Sequence, residues 1–192
     1  MRIIAGEFGG RPLKTLKGDA TRPTTDRVRE ALMSRLFSVL GSFEGVRVLD
    51  AFAGTGALGF ETLSRGAAHV VFCDQNREAQ RVVQANASSL GIGAARWTLR
   101  KGDVFSLPTT AQQPFDLVFL DPPYAYDAKR VAAFVSELDE AGMLSECAVV
   151  CYEYAKKDKQ NVLEVCDALE YLIVSTKDYG DTSITIFRKV TR

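Results

Sequence analysis

The run Asp121-Pro122-Pro123-Tyr124 holds an acid, two prolines and an aromatic ring directly after the apolar run Phe115–Leu120. Proline fixes φ and donates no N–H, so such a loop is stiff and its carbonyls stay available as acceptors. The Asp121 carboxylate and the Pro122 carbonyl could therefore accept both hydrogens of an aromatic exocyclic amine and align its lone pair. Tyr124 could stack on the base that carries the amine. The motif predicts the acceptor side of a methyl transfer to a base amine.

A simpler interpretation is that these four residues only end a strand, because proline interrupts strands in many proteins. If the motif is catalytic, we expect Asp121 to position the amine rather than to act as a strong general base. No cysteine lies in a comparable turn after a strand, which disfavours a cysteine nucleophile. The choice therefore depends on whether a methyl donor site accompanies the motif.

A glycine motif, Gly54-x-Gly56-x-x-Gly59, links a predicted strand to a predicted helix. Glycines let the backbone approach a ligand, and Asp74 ends the next predicted strand, where an acid can bind ribose hydroxyls. By itself the pattern fits both NAD and S-adenosylmethionine. The predicted cofactor-binding residues of the loop are Phe52, Ala53, Gly54, Thr55 and Gly56.

Two further acids distinguish between these cofactors. Asp50 precedes the loop, where its carboxylate would attract the cationic amino-acid end of S-adenosylmethionine and repel a pyrophosphate. Asp103 and the backbone amide of Val104 follow the third predicted strand and could bind the adenine, although Asp103 alone also fits a turn or helix cap. Together with Asp74, these residues favour S-adenosylmethionine as the cofactor.

The elements that must position these residues alternate between short β-rich runs and helical runs from residue 46 onward. This alternation predicts a parallel, doubly wound α/β sheet. The last two strands have no helix between them, which predicts a closing antiparallel hairpin. The predicted strands are 46–51, 69–73, 97–100, 115–120, 148–154, 169–175 and 182–189, and the predicted helices are 57–65, 77–90 and 128–141.

The first 40 residues show a different pattern. Residues 2–16 mix short alternating runs with three glycines, which predicts a small β-hairpin outside the core. A turn and helix cap at residues 21–26 precede apolar residues at helical spacing, which predict an amphipathic helix. We therefore expect an N-terminal extension at 1–40 and a catalytic domain at 41–192.

Composition narrows the class of protein. The 192 residues suffice for one globular domain, and 46% hydrophobic with 25% charged residues is typical of a soluble fold. The four cysteines form no C-x-x-C pair and His69 is the only histidine, so we expect no metal site. Cys73 and Cys151 lie in apolar runs and are predicted to be buried. Without a long apolar run or a leader-like N-terminus, we expect no membrane association and a cytoplasmic protein.

Several blocks of the sequence are similar to one known family. They are residues 2–6, 10–13, 21–32, 48–59 and 120–124, and Tyr179-Gly180-x-Thr182. The block 21–32, TRPTTDRVREAL, is the most specific, because generic methyltransferases lack it. On these blocks the chain resembles the small, single-domain bacterial 16S ribosomal RNA guanine-N2 methyltransferases.

This resemblance implies a Rossmann-like class I methyltransferase sheet of seven strands, the last antiparallel, flanked by helices and preceded by a small hairpin-and-helix extension. It also implies methyl transfer to the N2 amine of one guanine in 16S rRNA, in an assembled or assembling small-subunit particle. Asp74 stands where many relatives have Glu, and either acid can hold a ribose diol. Three alternatives stay open: an adenine-N6 methyltransferase on DNA or RNA, an NAD-dependent oxidoreductase, and a non-catalytic RNA-binding assembly protein.

The basic residues of the chain are concentrated near its N-terminus. Residues 1–35 carry eight Lys or Arg and four Asp or Glu, in a chain of zero formal net charge. Such an excess could bind RNA phosphates, although each arginine could equally form local pairs around the start of the helix. A second basic run, residues 156–159, is predicted to be a solvated loop. The predicted RNA-binding residues are Arg11, Arg22, Arg27 and Arg29.

Overall fold

The computed structural model describes residues 1–16, 26–106, 113–123 and 125–190, which form two compact units, Met1–Val104 and Phe105–Arg192. In the first unit, β1, β2 and β3 pair in parallel, with Leu49 opposite Val71 and Val71 opposite Thr98. Val48 and Leu49 are fully buried, as expected for a strand covered on both faces. The elements of this unit are α1 (Asp26–Leu40), β1 (Arg47–Asp50), α2 (Ala57–Ser64), β2 (His69–Asp74), α3 (Arg77–Leu90) and β3 (Trp97–Lys101).

In the second unit, β5 runs parallel to β4, while β7 is antiparallel to both β5 and β6. Tyr179 pairs with Thr182, so Gly180 and Asp181 form the tight turn of the closing hairpin. The elements of this unit are β4 (Phe115–Leu120), α4 (Ala128–Glu140), β5 (Leu144–Ala155), α5 (Lys159–Ala168), β6 (Leu172–Tyr179) and β7 (Thr182–Arg188).

The seven strands form one mixed sheet in the order β3-β2-β1-β4-β5-β7-β6. The predicted α/β sheet with an antiparallel last strand is therefore confirmed. The bounds of α3 and β4 agree with those predicted from the sequence. In the described part of the chain, no helix has the length and apolar character needed to cross a membrane.

The region after β5 differs from the prediction. The predicted loop at 156–159 is instead a 3-10 turn, Lys156–Asp158, followed by the first residue of α5, a helix that the sequence does not predict. Val162 and Cys166 bury one face of α5 at helical spacing. Lys159 and Lys156 lie 3.0 and 3.4 Å from the Asp178 carboxylate on β6. The hydrogen bond from Lys159 is the main cause that lowers the pKa of Asp178 to about 2.

The N-terminal segment, residues 1–16, also differs from the prediction, because it belongs to the core of the first unit. It contains one isolated bridge, between Arg2 and Pro12, instead of a hairpin of two strands. Its side chains Ile3, Phe8 and Leu13 are buried. The helix α1 is confirmed, whereas the predicted turn at 21–25 lies outside the described residues, and the domain boundary at residue 40 stays a prediction.

Side chains of α2 hold this segment in place. The buried Glu61 carboxylate accepts the N–H groups of Ile4 and Ala5 at 2.9 and 3.2 Å. Ser64 Oγ donates to the Ala5 carbonyl and accepts the Phe8 N–H at 2.9 Å. These contacts explain why a segment without a regular strand or helix is nevertheless ordered.

Candidate active site

The glycine loop, residues 53–56, connects β1 to α2 and is hydrogen-bonded to the end of β2. The Gly54 N–H donates to Asp74 Oδ2 at 2.8 Å, and the Ala53 N–H donates to the Cys73 carbonyl at 2.9 Å. The Gly56 N–H donates back to the Ala53 carbonyl at 2.6 Å. The loop is therefore a tight turn at the carboxyl end of β2, the edge where open α/β sheets bind ligands.

Two glycines of the motif are required for different reasons. Gly59 lies in α2, and a Cβ added there would stand 2.3 Å from the ring of Phe72, so only glycine lets α2 approach β2 this closely. Gly54 has φ of +53°, in the left-handed region that favours glycine, and a Cβ there would point into open space. The first glycine thus shapes the loop while leaving its outer surface open to a ligand, and the third permits helix packing.

Asp50, the last residue of β1, is buried under the first turn of α2. Its carboxylate accepts the Gly59 N–H at 3.1 Å, and its exposed fraction is 3%. Burial raises the pKa of Asp50 to about 7; the Gly59 hydrogen bond lowers it and the negative charge of Asp74 raises it further. Near neutral pH this group can therefore change its charge when a cation binds beside it.

The other two predicted acids also follow neighbouring strands. The Asp74 carboxylate binds the Asn76 N–H at 2.7 Å in addition to Gly54, which leaves lone pairs for a further donor. The Gly102 N–H donates to the Asp74 carbonyl at 3.1 Å, so the ends of β2 and β3 meet. Asp103 follows, exposed, and Val104 is buried. The structure thus brings the predicted cofactor residues to one edge of the first unit.

The acceptor motif follows β4 in the second unit. Asp121 is half-buried, Pro122 is buried and Pro123 is exposed, whereas Tyr124 lies outside the described residues. The Pro123 carbonyl accepts the Tyr126 N–H at 3.0 Å, which closes a turn before α4. The predicted acceptor for the amine is the Pro122 carbonyl, and this turn hydrogen bond uses the Pro123 carbonyl instead.

Tyr126, which the sequence did not single out, is the described aromatic residue of this loop. Its ring lies 5.4 Å from the ring of Phe105, which in turn makes an edge contact with Phe134 of α4. The Arg130 guanidinium stacks on the same Phe105 ring, 4.1 Å from its centroid. The aromatic cluster supports the loop between β4 and α4.

Two of the predicted RNA-binding arginines have local partners. Arg29 is 1% exposed and donates to the Asp26 carboxylate and the Arg2 carbonyl, so it stabilises the start of α1. The Arg11 guanidinium donates to the Ser89 and Leu90 carbonyls at the end of α3. Arg27 is exposed on α1, and Arg22 lies outside the described residues. Arg29 therefore pairs locally at the start of α1, Arg11 bonds the end of α3 instead, and the RNA-binding role of the exposed Arg27 stays a prediction.

The cysteines are free thiols, and the predicted burial of Cys73 and Cys151 is confirmed. Burial, together with the charges of Asp74, Asp103 and Asp50, raises the pKa of Cys73 to about 12. Its thiol is therefore neutral near pH 7 and a poor nucleophile. Among the described residues, no group of His, Cys, Asp or Glu side chains is arranged to hold a metal ion.

Sequence reasoning missed the polar groups that support the cofactor loop from inside. Asn86 on α3 is fully buried and bonds the Thr55 carbonyl at 3.0 Å. A signal was available, because Val83, Ala87 and Leu90 mark one buried face of α3 and Asn86 lies on that face. A polar residue on an apolar helix face is expected to have a specific partner.

The sheet order and the glycine loop after β1 together define a Rossmann-like class I methyltransferase fold. The chain superimposes with a TM-score of 0.82 on the solved structure of Escherichia coli yhhF, described provisionally as a methyltransferase, at 27% identity. This match covers 100% of the chain and 99% of yhhF. The chain belongs to the family described as Conserved hypothetical protein 95, whose profile matches residues 1–188.

Two relatives are similar over most of their length. Bacillus subtilis YlbH, described provisionally as an rRNA methyltransferase, is 35% identical over 193 residues, 98% of this chain and 99% of YlbH. Ribosomal RNA small subunit methyltransferase D of Haemophilus influenzae is 36% identical over 161 residues, 83% of this chain and 80% of the relative.

Proposed function

We propose that this chain transfers a methyl group from S-adenosylmethionine to the exocyclic N2 amine of a guanine in 16S rRNA. The observation that carries the proposal is the set of carboxylates that surround the glycine loop, Asp50, Asp74 and Asp103, each at or just after the end of one of three adjacent parallel strands. An rRNA substrate is supported by the names of the relatives YlbH and methyltransferase D.

In this proposal each acid binds a different part of the cofactor. Asp74 accepts hydrogen bonds from the ribose hydroxyls, and Asp103 with the Val104 amide binds the adenine. Asp50 stabilises the cationic amino-acid end by its charge, from beneath the first turn of α2. The carboxylate of Asp50, directly before the loop, disfavours the pyrophosphate of NAD, which is the reason to prefer a methyl donor.

The acceptor residues act on the amine. When bound, S-adenosylmethionine supplies an electrophilic methyl group on a cationic sulfur. Asp121 and the Pro122 carbonyl accept the two amine hydrogens, so the nitrogen lone pair points at the methyl carbon. Transfer of that methyl group to the amine nitrogen would leave the sulfur as a neutral thioether, and Asp121 and Pro122 would hold the amine while its proton passes to solvent.

The N-terminal extension, residues 1–40, is proposed to face the RNA, with the exposed Arg27 contacting phosphate. The substrate is proposed to be a small-subunit particle, assembled or assembling, which places the reaction in the cytoplasm. Asp121, Pro122, Pro123 and Tyr124 stay the proposed catalytic residues.

Radiolabelled methyl transfer tests the proposal directly. The purified chain is given labelled S-adenosylmethionine with protein-free 16S rRNA or partly assembled small subunits, and the RNA is digested to nucleosides. We expect label in N2-methylguanosine, and none with the Asp121→Ala variant. Label in N6-methyladenosine would overturn the guanine assignment. No transfer from a wild-type chain that still binds these RNAs would favour a non-catalytic assembly protein.

A further inference from the structure

Asn86 is a fully buried side chain in the first unit that the proposed reaction does not use directly. Its Oδ1 accepts the Lys14 N–H at 2.8 Å, and its Nδ2 donates to the Lys14 carbonyl at 3.2 Å. The same Nδ2 donates its other hydrogen to the Thr55 carbonyl at 3.0 Å. One amide group therefore connects α3, the N-terminal segment and the glycine loop.

The glycine loop needs support of this kind. Thr55 stands between two glycines with φ of +53° and +77°, and glycine restricts the backbone less than any other residue. The bond from Asn86 holds the carbonyl between these two flexible positions. Both amide hydrogens of Asn86 are used, so an apolar replacement removes the donor to the Lys14 carbonyl and the donor to the Thr55 carbonyl.

A second contact joins the same two regions. Met1 Sδ lies 3.9 Å from Thr55 Oγ1, and the Leu13 N–H donates to the Met1 carbonyl at 3.0 Å. Met1 thus contacts Thr55 directly, and Lys14 is linked to Thr55 through the Asn86 side chain. The anchor at Ser64 holds the middle of the segment, at Ala5 and Phe8, and bonds no residue of the glycine loop in the part of the chain that the structure describes.

We infer that Asn86 is a positioning residue that couples Lys14 of the N-terminal segment to the glycine loop, so that this junction, and not the anchor of the segment at Ser64, sets the affinity of the loop for S-adenosylmethionine. The inference rests on the proposed function for its ligand, while the coupling itself is a property of the ligand-free protein. The Asn86 side chain acts through the Thr55 backbone.

The test compares Asn86→Leu, which is similar in size and has no hydrogen-bonding group, with the matched control Ser64→Ala. Amide hydrogen exchange of residues 53–56 is measured in the ligand-free proteins, and the Kd of S-adenosylhomocysteine by calorimetry. We expect faster exchange and an about tenfold higher Kd in Asn86→Leu, the size of one lost buried hydrogen bond. In steady state, KM for S-adenosylmethionine should rise while kcat changes little. Ser64→Ala should lower the thermal midpoint without either change in the loop.

A milder variant, Asn86→Ser, keeps one donor and serves if Asn86→Leu does not fold; it should show the same changes to a smaller extent. Exchange of residues 53–56 at the wild-type rate in a folded Asn86 variant would overturn the inference, whatever happens to the Kd. Equal effects of Ser64→Ala on the loop would also overturn it, because they would indicate general destabilisation. If the wild-type chain binds no S-adenosylhomocysteine, the proposed cofactor site is wrong. The hydrogen-exchange result then still decides whether Asn86 couples the two regions.

Discussion

The glycine loop of the first unit and the acceptor loop of the second unit are both turns that follow a buried strand, and they are stabilised differently. The glycine loop is bonded to groups distant in sequence, Asp74 and Asn86. The acceptor loop contains two prolines, has a turn hydrogen bond from the Tyr126 N–H to the Pro123 carbonyl, and packs its Tyr126 ring on Phe105. The glycine loop is thus held by hydrogen bonds to its backbone, and the acceptor loop by stiff prolines and aromatic packing.

This difference has a consequence for substitutions. A change of Asp121 should mainly alter the rate, because the proposed role of its carboxylate is to hold the amine. A change in or under the glycine loop should alter stability and cofactor affinity together.

The largest effect is expected for Asp121→Ala. Loss of the carboxylate removes one of two acceptors that align the amine, and misalignment of a reacting group costs on the order of 100-fold in rate. We expect kcat for methyl transfer to fall by at least this factor, with an unchanged Kd for S-adenosylhomocysteine.

The control for this prediction is Asp127→Ala, six residues further along the same connection. Asp127 caps α4 by accepting the Lys129 N–H at 2.9 Å, and loss of such a cap costs about 1 kcal/mol of stability. Asp127→Ala should therefore be less stable and retain its kcat. A wild-type kcat in Asp121→Ala would contradict the proposal that the Asp121 carboxylate holds the amine.

The next effect is the contrast between Gly59→Ala and Gly54→Ala. At Gly59 the new methyl group would overlap the buried ring of Phe72, and we expect a loss of about 3 kcal/mol in the free energy of unfolding. At Gly54 it meets open space, and the left-handed φ costs about 1 kcal/mol. Urea unfolding measures both, and calorimetry should show that Gly54→Ala weakens cofactor binding. A greater stability loss at Gly54 would contradict the packing argument.

Much of the fold could be predicted because its signals are local. Strand β4 is apolar apart from Asp116, and α3 has apolar residues at helical spacing, so the sequence predicts the bounds of both correctly. The sequence also identifies the candidate acids Asp50, Asp74 and Asp103, because each stands at or just after the end of a predicted strand. Such predictions need only the neighbours of a residue along the chain.

The features of the fold and the site that the sequence does not predict depend on partners distant in sequence. Asn86 bonds residues 72 and 31 positions away, and no local pattern identifies them. The alternating runs of the N-terminal segment predict a hairpin outside the core, whereas its burial depends on contacts with Glu61 and Ser64 of α2. Arg29 belongs to a basic stretch in the sequence, yet its side chain is buried and paired with the partly exposed Asp26.

The third prediction concerns pH and the buried carboxyl of Asp50. An unfolded Asp has a pKa of about 3.9, whereas burial raises the pKa of Asp50 to about 7. Ionisation is thus easier in the unfolded chain, so this group favours the fold below about pH 4 and loses that contribution as pH rises to about 7. Asp50→Asn should remove that part of the pH dependence of ligand-free stability.

Cofactor binding should have the opposite slope, because a cation favours the ionised carboxylate. Between about pH 5.5 and 7, the affinity for S-adenosylhomocysteine should rise by up to about tenfold per pH unit, the factor that corresponds to one proton released. Asp50→Asn should flatten this dependence, and Asp103→Asn, which changes an exposed carboxylate, should preserve it. A wild-type affinity independent of pH in this range would exclude Asp50 from the binding of the cationic end.

The smallest effect is expected at the RNA surface, where Arg27 and Arg29 are only two residues apart on α1. Arg27 is exposed, so Arg27→Gln should weaken RNA binding a few-fold and reduce the slope of log K against log salt concentration by somewhat less than one. Stability should not change. Arg29→Met removes bonds to Asp26 and to the Arg2 carbonyl, so it should cost about 1–2 kcal/mol of stability and leave the salt slope unchanged.

Filter binding at several salt concentrations, with urea unfolding of the same proteins, separates these two arginines. A reduced salt slope in Arg29→Met, or an unchanged slope in Arg27→Gln, would contradict the placement of the RNA on the exposed face of α1. The pair matters because both arginines contribute equally to the positive charge of the sequence. Arg29 is buried and bonded to Asp26 and to the Arg2 carbonyl, whereas Arg27 is exposed, so one of them should act on stability and the other on the RNA.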